Sequence, residues 1–164
     1  MGKEENLLRI IDNIYGAALE PALWTPTLIN IADEMGGSGN AFFIFDKKNV
    51  MATLSSYARM PDGLGGEYED HYLQICPRYA YDTQSKEGAI FIDQDCIGDQ
   101  KIEKLEYYDF LSRYDLKYFC GLTVFNNDSW FSGLAVQRSP RQGPFPQNAA
   151  DLLRLLFPHL RRAA

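Results

Sequence analysis

Residues 118–138 read YFCGLTVFNNDSWFSGLAVQR and give the clearest indication of fold in this 164-residue chain. Two β-rich runs, Tyr118 to Phe125 and Trp130 to Arg138, flank the turn-forming residues Asn126-Asn127-Asp128-Ser129. Asn and Asp tolerate the positive φ angles that tight turns use. The segment therefore predicts a tight antiparallel β-hairpin.

Three other runs upstream predict further strands. Ala41 to Phe45 is apolar on both alternating sets of side chains, which is typical of a central strand covered on both faces. Val50 to Ala58 follows the turn Lys47-Lys48-Asn49, and Ala89 to Ile92 is a short third run. Together with the hairpin, these runs predict a five-stranded, mostly antiparallel sheet.

Helices are predicted at both ends of the chain, where apolar residues recur at helical spacing. The first helix runs from about Lys3 to Leu19. The second runs from Thr25, an N-cap candidate that is followed by Pro26 at the first helical position, to Met35. The last helix follows Gly143 and carries a leucine stripe. Pro158 lies inside this helix and predicts a kink or a break, because proline removes one backbone donor.

The middle of the chain predicts two shorter helices, Glu67 to Ile75 and Tyr107 to Tyr114, whereas the glycines between 63 and 66 indicate a loop. The resulting order of elements favours an α+β fold over a doubly wound one. We predict one domain over residues 1–164, an α/β/α sandwich. The first and last helices cover one face of the sheet, and the mid-chain helices cover the other.

Charge and composition exclude several classes of protein. A net charge of −6 disfavours direct binding of nucleic acid by this chain, and no apolar run reaches the ~18–20 residues that span a membrane. The three cysteines cannot all pair with one another and none lies in a CxxC motif, which favours a reduced, cytoplasmic location. Residues 138–164 carry five arginines and one acid, which indicates either an interaction tail or an arginine-rich helix face.

Motifs for metal binding and catalysis are weak. The two histidines, His71 and His159, are far apart, and the cysteines lack zinc-site spacing, so we expect no metal and no cofactor. We also expect no enzymatic activity. The alternative is a small stand-alone cysteine-dependent enzyme in which Cys76 or Cys120 acts with His71, because such partners meet only in the fold.

Aromatic residues carry the prediction of a binding site. Rings with polar tips provide apolar area and a hydrogen-bonding group, which a small-molecule pocket requires. Eight of them come from strands and mid-chain helices that we expect on one sheet face. The predicted ligand-binding residues are Phe43, Phe45, Tyr57, Tyr72, Tyr107, Tyr108, Phe119 and Trp130. The alternative interpretation is an ordinary aromatic core.

Leucines and isoleucines of the terminal helices predict a homodimer. The apolar stripes of these helices present more surface than one face of the sheet can cover. Pairing with a second copy about a two-fold axis would bury the remaining apolar surface. The predicted interface residues are Leu7, Leu8, Ile11, Leu152, Leu153, Leu156 and Leu160. In the monomeric alternative, these side chains only cover their own sheet.

Several stretches resemble one family of regulators. They are Leu8 to Trp24, the Tyr72 helix running into Pro77-Arg78, Gly143-Pro144-Phe145, and Asp151 to Ala163. These stretches resemble the N-terminal sensor region of LuxR-type transcriptional regulators. The resemblance implies a PAS/GAF-like domain that precedes a helix-turn-helix domain, which would lie beyond Ala164.

The resemblance departs from the family at two points. Cys76 stands where related sequences are more often acidic, and the ligand-contacting pattern of acyl-homoserine-lactone receptors is missing, so that ligand is not implied. We therefore predict a ligand-sensing and dimerisation domain that binds an unidentified small molecule and relays binding through its C-terminal helix. DNA would be bound only by the downstream domain. A purely structural protein-interaction module is the other alternative.

Overall fold

The computed structural model describes residues 2–97 and 105–164, whose strands form one five-stranded sheet. The strands are β1 (Gly39–Asp46), β2 (Met51–Ala58), β3 (Ile90–Ile92), β4 (Tyr118–Asn126) and β5 (Trp130–Arg138). Their order is β2-β1-β5-β4-β3, and every neighbouring pair is antiparallel. The predicted hairpin is confirmed, and β5 is the middle strand.

The hairpin turn uses a side chain rather than the positive φ angles that its sequence predicts. The Oδ1 atom of Asn127 accepts the backbone N–H groups of Ser129 at 2.9 Å and Trp130 at 2.8 Å. Within residues 2–97 and 105–164, the non-glycine residues with positive φ lie elsewhere, at Val50, Arg59 and Asp115. Asparagine therefore closes this turn by hydrogen bonding to its own backbone.

Eight α-helices are described around the sheet. They are α1 (Lys3–Leu19), α2 (Trp24–Glu34), α3 (Leu64–Glu67), α4 (Leu73–Ile75), α5 (Pro77–Asp82), α6 (Asp93–Ile97), α7 (Glu106–Arg113) and α8 (Ala149–Ala163). A π-helical turn, Tyr68–Tyr72, joins α3 to α4, and 3₁₀ turns cover Pro21–Leu23 and Pro140–Gln142. The sequence predicts neither α5 nor α6, because both are too short to show a helical stripe.

The glycine loop predicted at residues 63–66 is wrong from Leu64 onward. Gly63 has a φ of 83°, and helix α3 begins immediately after it at Leu64. A Cβ atom at Gly65 would lie 2.9 Å from the ring of Tyr57. Gly65 is therefore needed for the close packing of helix α3 on strand β2. A glycine-rich sequence does not by itself distinguish such a helix from a loop.

Helices α1, α2 and α8 cover one face of the sheet. Ile10 and Ile14 of α1, Leu28 of α2 and Leu153 of α8 are fully buried there, against strand residues such as Leu134. This layer agrees with the prediction. Its burial of apolar surface supplies most of the driving force for the fold.

Helix α8 continues through Pro158 to Ala163, so the predicted break does not occur. Leu156 and Leu160, on either side of the proline, are both fully buried in the layer of α1, α2 and α8. This anchoring on both sides outweighs the one backbone hydrogen bond that proline removes.

The arginine-rich end of the chain is largely a folded surface. Arg138 donates to the backbone oxygens of Gly36 and Pro144, at 2.9 and 2.8 Å. Arg154 and Arg161 form ion pairs with Asp151 and Glu87. These partners favour the helix-face interpretation over a free tail. Within the described ranges, we find no helix with the length and apolarity needed to cross a membrane.

Candidate functional site

The second face of the sheet holds a cavity of about 50 Å³ beneath the mid-chain helices. Its floor includes the small residues Ala41 and Ala135 of strands β1 and β5. Eight aromatic residues line it: Phe43, Tyr57, Tyr68, Tyr79, Tyr107, Phe110, Phe119 and Phe131. Rings of this kind combine apolar area with phenolic hydrogen-bonding groups, which suits recognition of a small molecule.

Two strand glycines allow the rings to lie close to the sheet. A Cβ atom at Gly133 would approach the rings of Phe43 and Phe131 to 2.9 Å. A Cβ atom at Gly121 would lie 2.7 Å from the ring of Phe119. Any larger residue would push these rings into the cavity or away from the sheet, so both glycines shape the site.

A buried ion pair occupies one side of the cavity. Arg78, on α5, has a 5% exposed side chain, and that of Asp93, on α6, is 2% exposed. The guanidinium donates to both carboxylate oxygens of Asp93, from Nε at 2.7 Å and from Nη2 at 3.1 Å. It also lies over the ring of Phe119, 4.1 Å from its centroid. A bidentate pair stacked on an aromatic ring holds arginine in one orientation.

Further hydrogen bonds use all the remaining donors of Arg78. Nη1 donates to Oε1 of Gln137 at 3.0 Å and to the hydroxyl of Tyr107 at 3.4 Å, and Nη2 donates to the backbone oxygen of Lys117 at 2.9 Å. Burial lowers the pKa of Arg78, but the nearby charge of Asp93 raises it, and the net pKa lies well above its ordinary value. Arg78 therefore remains charged and fully bonded.

Asp93 is equally well bonded. Besides Arg78, it accepts the backbone N–H of Phe119 at 2.8 Å and the hydroxyl of Tyr108. The Arg78–Asp93 pair thus connects α5, α6, α7 and β4. Because each partner's hydrogen-bonding capacity is satisfied, the pair is a rigid wall of the cavity.

Asp82 is a second buried acid, and unlike Asp93 it lines the cavity itself. It lies at the end of α5, is 6% exposed, and accepts a hydrogen bond from the hydroxyl of Thr123 on β4. No ion pair to it is formed by the described residues. Burial raises the pKa of Asp82 to about 8, although the Thr123 hydrogen bond lowers it. The carboxyl is therefore mostly protonated near neutral pH.

The cysteines do not form a nucleophilic site in this structure. Cys76 is 3% exposed and its sulfur accepts the backbone N–H of Tyr79 at 3.4 Å at the start of α5, and burial raises its pKa. Cys120 lies on the opposite face of the sheet from the helices that hold His71, and burial raises its pKa to about 12. His71 is exposed and paired with Glu106. Since nucleophilic cysteines require a lowered pKa, these thiols are not activated.

The same fold occurs in several solved structures. The VqsR LBD domain from Pseudomonas aeruginosa matches with a TM-score of 0.73 and 18% identity, over 98% of this chain and 92% of that chain. CepR2 from Burkholderia cenocepacia, an N-acylhomoserine lactone-dependent LuxR family transcription factor, matches with a TM-score of 0.67 and 14% identity, over 96% and 93%. The GAF domain of an Acinetobacter phosphoenolpyruvate-protein phosphotransferase matches with a TM-score of 0.52 and 15% identity, over 99% and 93%.

The chain has a GAF-like fold. The predicted PAS/GAF-like sandwich and the resemblance to the sensor region of LuxR-type regulators are thus confirmed at the level of fold. No protein-family model matches this sequence, and no curated protein matches it.

Within this GAF-like fold, four of the eight predicted ligand-binding residues line the cavity: Phe43, Tyr57, Tyr107 and Phe119. Tyr57 is additionally fixed by donating to Oε1 of Glu69 at 2.8 Å. The four come from three strands and a helix, so their convergence is a tertiary property.

The other four predicted residues lie outside the lining. Phe45 is buried next to it and packs edge-on against Tyr79, with ring centroids 5.1 Å apart. Tyr72 stacks on Phe110, and Tyr108 acts through its hydrogen bond to Asp93. Trp130 is 40% exposed at the start of β5.

The sequence does not predict the charged residues of the site. Arg78 and Asp82 lie on α5, and their partners Asp93 and Thr123 are 15 and 41 residues away from them. Isolated charged residues give no periodic signal, and burial reveals their role only in the fold. The Pro77-Arg78 dipeptide, quoted above for the family resemblance, is the one local feature that pointed to this segment.

The predicted interface residues fall into two groups. Leu153, Leu156 and Leu160 are fully buried in the core of their own chain, which leaves them no surface for a second copy. Leu7, Ile11 and Leu152 are partly buried against the same core, and Leu8 is 57% exposed. The stripe of α8 therefore mainly covers its own sheet, because the helix is turned so that these leucines face inward.

Proposed function

We propose that this chain is the ligand-sensing and dimerisation domain of a bacterial transcriptional regulator, without enzymatic activity of its own. The observation that supports this is the aromatic cavity, which is lined by Asp82 and by Arg78 of the buried Arg78–Asp93 pair, in a fold shared with the LBD domain of VqsR. The unactivated thiols weigh against the cysteine-enzyme alternative. Any DNA binding would belong to a separate domain, since the net charge of this chain is −6.

The size of the cavity limits the ligands that it can hold without a conformational change. Its volume of about 50 Å³ is smaller than the roughly 150 Å³ of an engineered cavity that admits benzene. The ligand would therefore be very small or would displace lining side chains. A conformational change on binding is what a sensor needs, and a tenfold bias between two states corresponds to about 1.4 kcal/mol of differential binding free energy.

Strand β4 lies between the cavity and α8, which supports a relay through this strand. Phe119 and Gly121 face the aromatic side, whereas Cys120 and Leu122 contact the layer that contains α8. Alternate residues of one strand thus contact the ligand space and the C-terminal helix. We infer that displacement of Phe119 shifts β4 and, through it, α8.

A ligand screen with a blocked variant tests the sensing function. Ala135→Leu adds three carbons to the cavity floor, and Ala150→Leu, on the half-exposed surface of α8, is the matched control. A compound at a concentration of 100 times its Kd is expected to stabilise the wild type and the control by about 2.7 kcal/mol. It is expected to stabilise the blocked variant by much less. The measurement is thermal unfolding across a broad metabolite library.

Two results of this screen argue against sensing. One is that no compound stabilises the wild type. The other is that every stabilising compound acts equally on Ala135→Leu, which would place binding outside the cavity. A folded domain that dimerises but has no ligand would then be a protein-interaction module.

Hydrogen exchange tests the relay. With a stabilising compound bound, exchange of backbone amides in α8 is expected to change along with that in β4, because the two elements are in contact. Unchanged exchange in α8 together with protection of the cavity would refute the relay and leave ligand binding intact.

The exposed apolar residues of α1 and α8 support dimerisation. Leu8, Leu19 and Leu155 are 57%, 90% and 55% exposed, and the hydroxyl of Tyr15 on α1 lies 3.0 Å from Nδ1 of His159 on α8. In α1, Leu8, Tyr15 and Leu19 recur at helical spacing on one side. This exposed surface, rather than the buried leucines of α8, is the proposed contact with a second copy.

A further inference from the structure

The charges on the cavity lining indicate which class of ligand it accepts. Arg78 is the only cationic residue of the described lining. Its five N–H groups already donate to Asp93, Gln137, Tyr107 and the Lys117 backbone. An anionic ligand would have to replace Asp93 in a buried, bidentate pair, and breaking such pairs is strongly unfavourable. The cavity therefore has no cation free to bind an anion.

Asp82 differs from Arg78, because its acidic side chain forms no ion pair with a basic residue among the described residues. It is 6% exposed and lines the cavity, and among the described residues the only hydrogen bond to its carboxyl comes from the uncharged Thr123. A buried carboxylate is stable only when it is paired, so in the free protein this group takes up a proton instead. A positively charged ligand would provide the missing partner.

Aromatic rings line the same cavity as Asp82. Thr123 pairs with Gly133 across β4 and β5, and the rings of Phe43 and Phe131 lie over Gly133. Tyr79 precedes Asp82 by three residues on α5, and its ring centroid is 6.2 Å from that of Phe131. The faces of aromatic rings attract cations, most strongly where water is excluded.

We propose that the cavity binds a small organic cation, an amine whose ammonium group pairs with the carboxylate of Asp82 while its apolar part contacts the surrounding rings. This inference rests on the proposed sensing function and specifies its ligand class. Glu69, which accepts hydrogen bonds from Tyr57 and Ser55 beside the cavity, adds a negative charge that favours the approach of a cation.

Matched probes test the charge of the ligand. The first set is propylamine, 1-propanol and propionate, and the second is 2-phenylethylamine, 2-phenylethanol and phenylacetate. Within each set the apolar part is similar while the polar group is cationic, neutral or anionic. Binding is measured by titration calorimetry and by ligand-observed NMR, and the amine is expected to bind at least about tenfold more tightly than its two relatives.

Asp82→Asn removes the charge and retains the shape. It is expected to weaken amine binding by about tenfold or more and to leave binding of the alcohols nearly unchanged. Asp128→Asn, at an exposed position of the hairpin turn, makes the same carboxyl-to-amide change outside the cavity and is expected to have no effect.

The pH dependence provides a readout that a structural role of Asp82 would not produce. Below the Asp82 pKa of about 8, the amine must displace a proton, so its affinity is expected to fall about tenfold per pH unit between pH 8 and 6. The other ionisable groups near Asp82 are Arg78 and Tyr79 on α5, Asp93 and Cys96 on α6, and Lys47, whose Nζ donates to the backbone oxygen of Thr83 at 3.5 Å. Asp82→Asn is expected to abolish this slope, since the other groups are unchanged in it.

The outcomes separate this inference from the proposed function. If the alcohols or carboxylates bind more tightly than the amines, or if amine binding survives Asp82→Asn, the inference that the ligand is a cation is refuted. The proposed sensing function is not affected by either result. The same holds if no amine binds but the broad screen finds another ligand. If neither the probes nor the screen yields a ligand, both the class and the sensing function fail.

Discussion

At the scale of single residues, two buried acids on one side of the sheet have opposite environments. Asp93 is paired with Arg78 and accepts four hydrogen bonds, whereas Asp82 accepts one from Thr123. The first acid therefore fixes the wall of the cavity, and the second is the proposed partner of a ligand. The difference follows from the partners that the fold supplies and not from the residue type.

The raised pKa of Asp82 predicts a loss of stability as pH increases. Its folded pKa is about 8 and its unfolded pKa is near 4, so between these values unfolding releases a proton. The free energy of unfolding is expected to decrease across this window by at most about 1.4 kcal/mol per pH unit. Below the window, where both states are protonated, this contribution to stability is fully present.

Urea denaturation of the wild type and Asp82→Asn at several pH values checks this prediction. The difference between the two proteins is expected to change from pH 5 to pH 8 in favour of the variant, while Asp128→Asn parallels the wild type. A constant difference would show that Asp82 is ionised in the folded state.

Removing one member of the buried ion pair is expected to be costly. Asp93→Ala leaves Arg78 charged and without its main partner, which destabilises the fold by about 3–5 kcal/mol. The double variant Arg78→Met/Asp93→Leu is expected to recover much of this loss, because it removes both charges. Chemical denaturation measures both effects.

An exposed pair serves as the control for this experiment. Arg154 and Asp151 have side chains that are 63% and 67% exposed, so Asp151→Ala is expected to cost less than about 1 kcal/mol. Equal losses in Asp93→Ala and Asp151→Ala would contradict the assigned role of the buried pair.

At the scale of elements, strands β4 and β5 combine a leucine-rich face with a face of rings and glycines. Leu122 and Leu134 face the layer of α1, α2 and α8, whereas Gly121 and Gly133 face the aromatic side. The alternation of a β-strand assigns these faces. The glycines therefore belong to the site, although they carry no functional group.

Gly133→Ala is expected to destabilise the protein by about 1–3 kcal/mol, because the new Cβ atom would lie 2.9 Å from the rings of Phe43 and Phe131. Gly66→Ala in helix α3 is the matched control, since no heavy atom would lie within 4 Å of its Cβ. The control is expected to be neutral or slightly stabilising. Thermal and urea unfolding measure both changes, and a neutral Gly133→Ala would show that the rings adapt readily.

At the scale of the whole molecule, the two faces of the sheet have different tasks. One face is closed by α1, α2 and α8, which bury a continuous apolar core. The other contains three smaller clusters around an incompletely filled cavity. Such a division allows the cavity to change while the first layer stays folded.

The exposed apolar residues of α1 and α8 predict a homodimer in solution. Leu19→Glu is expected to shift the protein towards monomer, because it places a charge in the proposed contact at a position that is 90% exposed. Met51→Glu, at a 55% exposed position on strand β2, is the control and is expected to leave association unchanged. Analytical ultracentrifugation over a range of concentrations measures both, and a monomeric wild type at tens of micromolar would refute dimerisation.

The sequence by itself determined the elements whose signals are local. The hairpin, strand β1 and helix α1 follow from alternation, helical spacing and turn residues that lie within a few positions of one another. It also determined that helices cover both faces of the sheet, because β1 is apolar on both faces. It indicated four of the rings that line the cavity through their abundance in these elements.

Only the tertiary structure decided where the charges and the empty space lie. The pairing of Arg78 with Asp93 and of Asp82 with Thr123 joins residues that are 15 and 41 positions apart. The exposure of Leu19 and the burial of Leu160 likewise depend on how each helix is turned against the sheet. Periodicity defines the faces of an element, but a cavity and an ion pair are relations between elements, and these exist only after packing.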